Sequence, residues 1–281
     1  MIIFKRIDEV RQFIENKKAE GKKIGFVPTM GALHSGHISL VKNSIANTHI
    51  TIVSIFVNPT QFNDTSDLKN YPREFEKDRN LLEDVGCHAI FYPDVDEMYP
   101  EKDNRVFDFK GLDEVMEGEH RPGHFNGVAQ IVSKLFYAIP ADKAFFGLKD
   151  FQQLAIIKKL VSILKLNIEI VPCDIVREPN GLAMSSRNER LTKEQRESAK
   201  IIYTNLLEVN KQINKLSIAE IKSLVRSAIN KSPLFEVEYF DIVNSETLLP
   251  VTRKEDCDEA IACIAVWADK IRLIDNIILN F

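Results

Sequence analysis

Between Ile24 and Val57 the chain passes from a short apolar run, Ile24 to Val27, through a glycine-bearing loop and a helical repeat into the β-branched run Ile50 to Val57. Within the repeat, Ile38, Val41 and Ile45 fall on one face of a helix expected over His37 to Asn47. Two buried-type strands joined by a helix must lie parallel, and a parallel sheet needs helices on both faces to cover it. Pro28 has no N–H to donate and is expected to end the first strand. Strand, glycine loop and helix start is the layout in which backbone N–H groups and the positive end of a helix face a phosphate chain. Ligands of such sheets lie outside the carboxyl ends of the strands.

The alternation extends on both sides of this unit. An opening helix is read over Arg6 to Ala19, with Val10, Phe13 and Ile14 on one face, ahead of the first strand. Phe62 to Asn70 is polar and expected to be mobile; Tyr71-Pro72-Arg73 is expected to open a helix carrying Phe75, Leu82 and Val85 inward. Further strands are expected at Ala89 to Tyr92, Lys143 to Phe146 and Ile168 to Val171, with a turn-rich loop from Pro93 to Pro100. Between them, Glu119 to Phe125 opens a helix with Val128, Ile131, Val132, Leu135 and Phe136 as its stripe, and another helix runs from Phe151 to Leu164.

From Thr192 the pattern changes. A capping box (Thr192, Gln195) leads into two amphipathic stripes, Ala199-Ile202-Leu206-Val209-Ile213 and Ile218-Ile221-Val225-Ile229. Strand-like segments follow at Val237 to Val243, Ala260 to Trp267 and Ile271 to Ile274. The expectation is an α/β chain: a Rossmann-like parallel sheet with helices on both faces in residues 1–175, and a smaller C-terminal α+β domain in residues 176–281.

Composition narrows the partners. The 37 basic residues against 41 acidic ones give a formal charge of -4, no footprint for a polyanion, so nucleic acid is not an expected partner. The N-terminus meets charge within five residues and carries no apolar leader core, and the apolar run Ala260 to Ala268 is too short to span a bilayer. A cytoplasmic protein without a membrane partner is expected. Cys87, Cys173, Cys257 and Cys263 form no CxxC pair and are read as free thiols.

The residues that carry chemistry cluster at the expected strand ends. His34 and His37, spaced across a helix start, place both imidazoles on one side of the first turn as hydrogen-bond donors to phosphate; a zinc site would need a third ligand at suitable spacing. Gln61, after the second strand, offers two donors and an acceptor to a small polar acid. Gly147 allows close backbone approach, Lys149 brings positive charge, and Asp150 reads as helix N-cap or ribose contact. Gln153 is expected to point toward the sheet from the first helical turn. Arg121 and His124 read equally as anion contacts or as capping and interface residues. Asp94, Asp96 and Glu97 read as solvated loop charges.

His34-Ser35-Gly36-His37 resembles the HxGH signature of the nucleotidyltransferase superfamily that includes the class I aminoacyl-tRNA synthetases. The wider string Pro28-Thr29-Met30-Gly31-Ala32-Leu33-His34 resembles the pantoate-beta-alanine ligase (pantothenate synthetase) family. Met184-Ser185-Ser186-Arg187-Asn188 is similar to the superfamily's KMSKS-type loop, and the likeness runs from about Met1 to Asn276. What the resemblance implies is the ATP-dependent joining of pantoate and beta-alanine through a pantoyl adenylate, with Mg2+ accompanying ATP and the chain acting as a homodimer. It implies nucleotide contacts from Met30, Gly31, Ala32, Leu33, His34, Ser35, Gly36 and His37, from Gly147, Leu148, Lys149 and Asp150, and from Val176, Met184, Ser185, Ser186 and Arg187. His37 would be the main donor to the reacting phosphate, assisted by His34, Lys149, Ser185, Ser186 and Arg187. Gln61, Gln153 and Asn58 would line the pantoate and beta-alanine pocket, and the Ser-Ser-Arg loop would be a hinge.

Two departures stand out. Leu148 occupies a position commonly charged in the family, and Ala268-Asp269-Lys270-Ile271 lacks the usual glycine. The protein ligand of Mg2+ is not legible. Two other readings, a nucleotidyltransferase for another substrate and a catalytically silent nucleotide binder, are disfavoured by Gln61 and Gln153 and by the presence of His37 and Lys149.

Overall fold

The computed structural model describes residues 1–62, 68, 69 and 71–279. Most of the stretch expected to be mobile, residues 63–67 and 70, lies outside them. The described chain divides into two compact units: residues 1–148 with 153–174, and residues 149–152 with 175–281.

The first unit is built on a parallel six-stranded sheet in the order β1-β4-β3-β2-β5-β6. The strands are β1 (Ile2–Phe4), β2 (Ile24–Thr29), β3 (Ile50–Ile55), β4 (Ala89–Phe91), β5 (Lys143–Gly147) and β6 (Glu169–Cys173). Its helices are α1 (Ile7–Ala19), α2 (Ser35–Asn47), α3 (Phe75–Asp84), the short α4 (Val95–Met98) and α5 (Glu117–His120), α6 (His124–Ala138) and α7 (Phe151–Ile163). Successive strand residues go to opposite cores. Phe26, Ile52, Ala89, Phe91, Ala144 and Phe146 pack with α1, α6 and α7, while Val27, Val53, Ile90 and Phe145 pack with α2 and α3. The two-residue period of a strand thus puts helices on both faces, as expected.

Several expectations need correction. β1 was not expected: a three-residue edge strand with Ile2 and Ile3 exposed carries no periodicity to read. Pro28 does not end β2, because it stays in register with Ser54 of β3. The Thr29 carbonyl accepts from Phe56 N–H on the β3 side, so the neighbouring Pro28 turns its missing donor toward β5, where pairing stopped at Phe26. α3 begins at Phe75 rather than at Tyr71-Pro72-Arg73, and Phe75 stacks on Tyr92 with ring centroids 4.2 Å apart. The Pro93 to Pro100 loop contains α4, and the stretch read as one helix start divides into α5 and α6, with Gly123 at φ 79 between them.

The second unit packs α8 (Lys193–Ser198), α9 (Lys200–Gln212) and α10 (Ile218–Asn230) with an antiparallel sheet of β7 (Glu236–Asn244), β8 (Ala260–Ala268) and β9 (Ile271–Leu279). Its core joins Ile202, Leu206 and Val209 to Ile221, Val225 and Ile229 and to Ile242, Ile264 and Val266. The Thr192–Gln195 capping box forms as read. β9 outruns its expected end at Ile274, pairing with β8 through Leu279.

Candidate active site

The sheet order reverses between β2 and β5, and parallel sheets leave a ligand crevice at the carboxyl ends of the strands there. The loops after those strands begin with Met30–His34 and Leu148–Asp150. Gly25 lets α2 lie close on β2: a Cβ there would stand 2.2 Å from Ser44 Oγ.

After Thr29 the loop turns through Gly31 (φ 80) and Ala32 (φ 50). The second of these is a left-handed conformation that strains a side-chain-bearing residue. Buried Thr29 donates its hydroxyl to the Ser54 carbonyl at 2.8 Å and accepts Gly31 N–H at 3.1 Å. The N–H groups of Ala32 and Leu33 go to the carboxylate of Asp78 on α3, at 2.9 and 2.7 Å. Burial pushes the Asp78 carboxyl upward in pKa, opposed by those two bonds.

His34 is the N-cap of α2: its Nδ1 accepts Gly36 N–H at 3.1 Å, while His37 Nδ1 accepts His34 N–H at 3.4 Å. The two rings lie 4.1 Å apart, on the same side of the turn as the spacing required. With Nδ1 accepting, each neutral imidazole carries its proton on Nε2 and donates from that edge. The backbone differs from the sequence expectation. The N–H groups of Gly31, Ala32, Leu33, His34 and Gly36 are all engaged within the chain, so this loop is not a nest of amides facing a phosphate.

Gln61 sits in a 3-10 turn, Pro59–Gln61, just past β3. Its Nε2 reaches Met30 Sδ at 2.9 Å, bringing together two residues read as site members. Asn58 is 1% exposed and makes its bonds inside the protein. Its Nδ2 donates to Gln61 Oε1 and to the Gly127 carbonyl, both at 3.2 Å, and its Oδ1 accepts from Tyr99 Oη at 2.8 Å. Asn58 therefore helps to orient Gln61. His124, left open by the sequence, is buried and donates Nδ1–H to the Gln61 carbonyl at 2.9 Å, while Arg121 stands 3.7 Å from Glu117. Gln153 is half-buried, and its neighbour Gln152 is 4% exposed. A cavity of about 290 Å³ lies beside the loop, lined by Met30, Gly31, Phe56, Phe75, Asp78 and Tyr92 among others.

In the second unit, Val176 and Met184 pair across a hairpin, Met184 N–H donating to the Val176 carbonyl at 2.9 Å. Gly181, at φ 94, makes the turn. Ser185 caps the 3-10 turn Ser186–Arg190 by accepting Arg187 N–H at 3.2 Å. Asn188, 1% exposed, ties that turn to Glu178 at 2.7 Å and to the Ala183 carbonyl at 3.0 Å. Lys149 Nζ lies 3.7 Å from the exposed Asp150, and the Lys149 carbonyl accepts from Asn276 Nδ2 at 2.9 Å. Beside Asn276, Asp275 holds Arg177 through two bonds of 2.6 and 3.0 Å, with the guanidinium 3.6 Å over the Tyr203 ring. Burial pushes the Asp275 carboxyl up, and Arg177 opposes it.

The family model for pantoate-beta-alanine ligase matches residues 2–278. The chain belongs to the pantoate-beta-alanine ligase family. The pantothenate synthetase of Porphyromonas gingivalis is 49% identical over 278 residues, 99% of each chain. The crystal structure of the Thermus thermophilus pantothenate synthetase superposes with a TM-score of 0.92 at 38% identity, covering 99% of both chains. The Francisella tularensis pantoate-beta-alanine ligase, complexed with beta-gamma ATP and beta-alanine, is 34% identical with a TM-score of 0.81, over 99% of this chain and 97% of that one. As a ligase of this family the chain works in pantothenate synthesis, and the strand-end loops around His34, His37 and Gln61 are its candidate catalytic equipment.

Thr29, Asp78, Tyr99 and Asn188 bond to the candidate site residues or their loops and were missed by sequence reasoning. Thr29 and Asn188 stood inside quoted motifs, so position was a signal for them. Asp78 and Tyr99 join the site only through bonds spanning 45 and 41 positions.

Proposed function

We propose that this chain condenses pantoate with beta-alanine in two steps at the expense of one ATP. The pantoate carboxylate attacks the α-phosphorus of ATP, the bond to the β-phosphate oxygen breaks, and pantoyl adenylate and pyrophosphate result. The beta-alanine amine then attacks the acyl carbon, AMP leaves, and the amine's proton is lost to solvent as pantothenate forms. The observation that carries the reading is the pair of α2-capping imidazoles, each held as an Nε2–H donor, on the loop whose Met30 meets Gln61. A carboxylate nucleophile needs no general base, so the residues position reactants and stabilise charge growing on phosphate oxygens. His37 is the first donor, with His34 beside it. Lys149, Ser185, Ser186 and Arg187 supply cationic and hydroxyl donors to the phosphates, while Gln61 and Gln153 bind pantoate.

Mg2+ is proposed as the counter-ion of ATP. Among the described residues no cluster of three or more His, Cys, Asp or Glu side chains is placed to hold a metal. An ion carried on nucleotide phosphates keeps most of its waters and needs few protein ligands. A cytoplasmic homodimer is part of the same reading, and light scattering tests the dimer.

The deciding experiment is isotopic exchange between pyrophosphate and ATP. Exchange is expected with pantoate present and beta-alanine absent. Exchange only when beta-alanine is also present would overturn the adenylate sequence. No exchange with pantoate at all would favour a silent binder or a transferase for another acid.

A further inference from the structure

We propose that Asp78 is a positioning residue for the nucleotide loop, its carboxylate holding residues 30–33 in the shape from which His34 and His37 reach the substrate. The proposal rests on the nucleotide reading above. Two backbone donors, Ala32 N–H at 2.9 Å and Leu33 N–H at 2.7 Å, converge on the carboxylate, one on each oxygen. Asp78 is 1% exposed, so little water competes for those oxygens. One of the two residues it grips is strained: Ala32, at φ 50, lies in the left-handed region that favours glycine. Strain of that kind persists only where surrounding bonds over-determine the backbone. Gly31 leaves room for the carboxylate, since a Cβ there would stand 2.9 Å from Asp78 Oδ2.

The chemistry requires a carboxylate rather than any polar side chain. Both converging groups are donors, and an ionised carboxylate offers only acceptors. An amide at position 78 would serve one N–H and set its own NH2 against the other. Asp78 itself does not touch the nucleotide. By occupying the amides of Ala32 and Leu33 it leaves phosphate recognition to side chains, and its influence passes through loop geometry to the imidazoles of α2.

Two measurements test this. In the wild-type protein without nucleotide, amide hydrogen exchange at Ala32 and Leu33 is expected to be protected, and ATP is expected to add little further protection. Open amides that become protected only on adding ATP would overturn the proposal without any variant. In pyrophosphate–ATP exchange, Asp78→Asn is expected to raise the KM for ATP about tenfold, the scale of one buried donor left unmet, while the KM for pantoate stays within about twofold. If Asp78→Asn does not fold, Asp78→Ser takes its place, since the adjoining cavity of about 290 Å³ has room for water to serve the two N–H groups. A folded variant with an unchanged KM for ATP, or with both KM values raised alike, would sink the positioning role. Absence of exchange in the wild type would instead sink the nucleotide reading on which it rests.

Discussion

His34 and His37 use the two edges of their rings for different tasks. The Nδ1 edges accept backbone N–H groups and cap α2, which fixes the proton on Nε2 and turns that edge into a donor. His37→Ala should therefore keep the fold, because His34 still caps Gly36, yet slow adenylation by about 10²-fold or more, the scale for one lost donor to developing charge. The check is pyrophosphate–ATP exchange in a variant whose circular dichroism matches wild type. Near-normal exchange would remove His37 from the mechanism. The pair was legible because a three-residue spacing at a helix start has only one geometric outcome. The burial of Asn58 was not, because its bonds to Tyr99 and the Gly127 carbonyl join positions far apart in the chain.

At the scale of elements, the turn that carries Gln61 is held by α6. Gly127 is the point of contact, where an added Cβ would stand 2.4 Å from the Thr60 carbonyl oxygen, and Asn58 and His124 bond across the same junction. Gly127→Ala must push the helix and the turn apart, since the atom in the way is backbone. A loss of about 1 to 3 kcal/mol in stability is expected, the usual cost of overpacking. A raised KM for pantoate with little change for ATP should accompany it. Thermal melts and separate substrate titrations would show this; a variant with wild-type pantoate kinetics would mean that α6 does not set the position of Gln61. Elements with strong periods were legible in the sequence, α1, α6 and α10 among them. Short ones were not, because β1 and α4 owe their existence to neighbours rather than to a repeat.

The whole molecule has separate cores for its two units: the layers on either side of the parallel sheet, and the cluster between α8–α10 and the antiparallel sheet. A fragment of residues 1–174 keeps every strand of the first sheet and its flanking helices. It is expected to melt cooperatively while giving no pyrophosphate–ATP exchange, since Ser185, Ser186 and Arg187 are gone. Calorimetry and the exchange assay on the fragment decide both halves; a fragment that exchanges at the wild-type rate would exclude the Ser-Ser-Arg loop from adenylation.

Local rules carried the sequence a long way here. Strand and helix periods, a capping box and the two-histidine spacing depend on residues a few positions apart, and they determined the parallel α/β sheet, its helical cover and the candidate imidazole donors. The tertiary structure decided what depends on distant partners. It kept Pro28 inside β2, because β5 pairing had already stopped beside it. It buried Gln152 beside the half-buried Gln153, and it brought Asp78 across 45 positions to the amides that the sequence had assigned to phosphate. A backbone N–H takes whichever acceptor the fold delivers, and no local pattern names an acceptor that arrives from another helix.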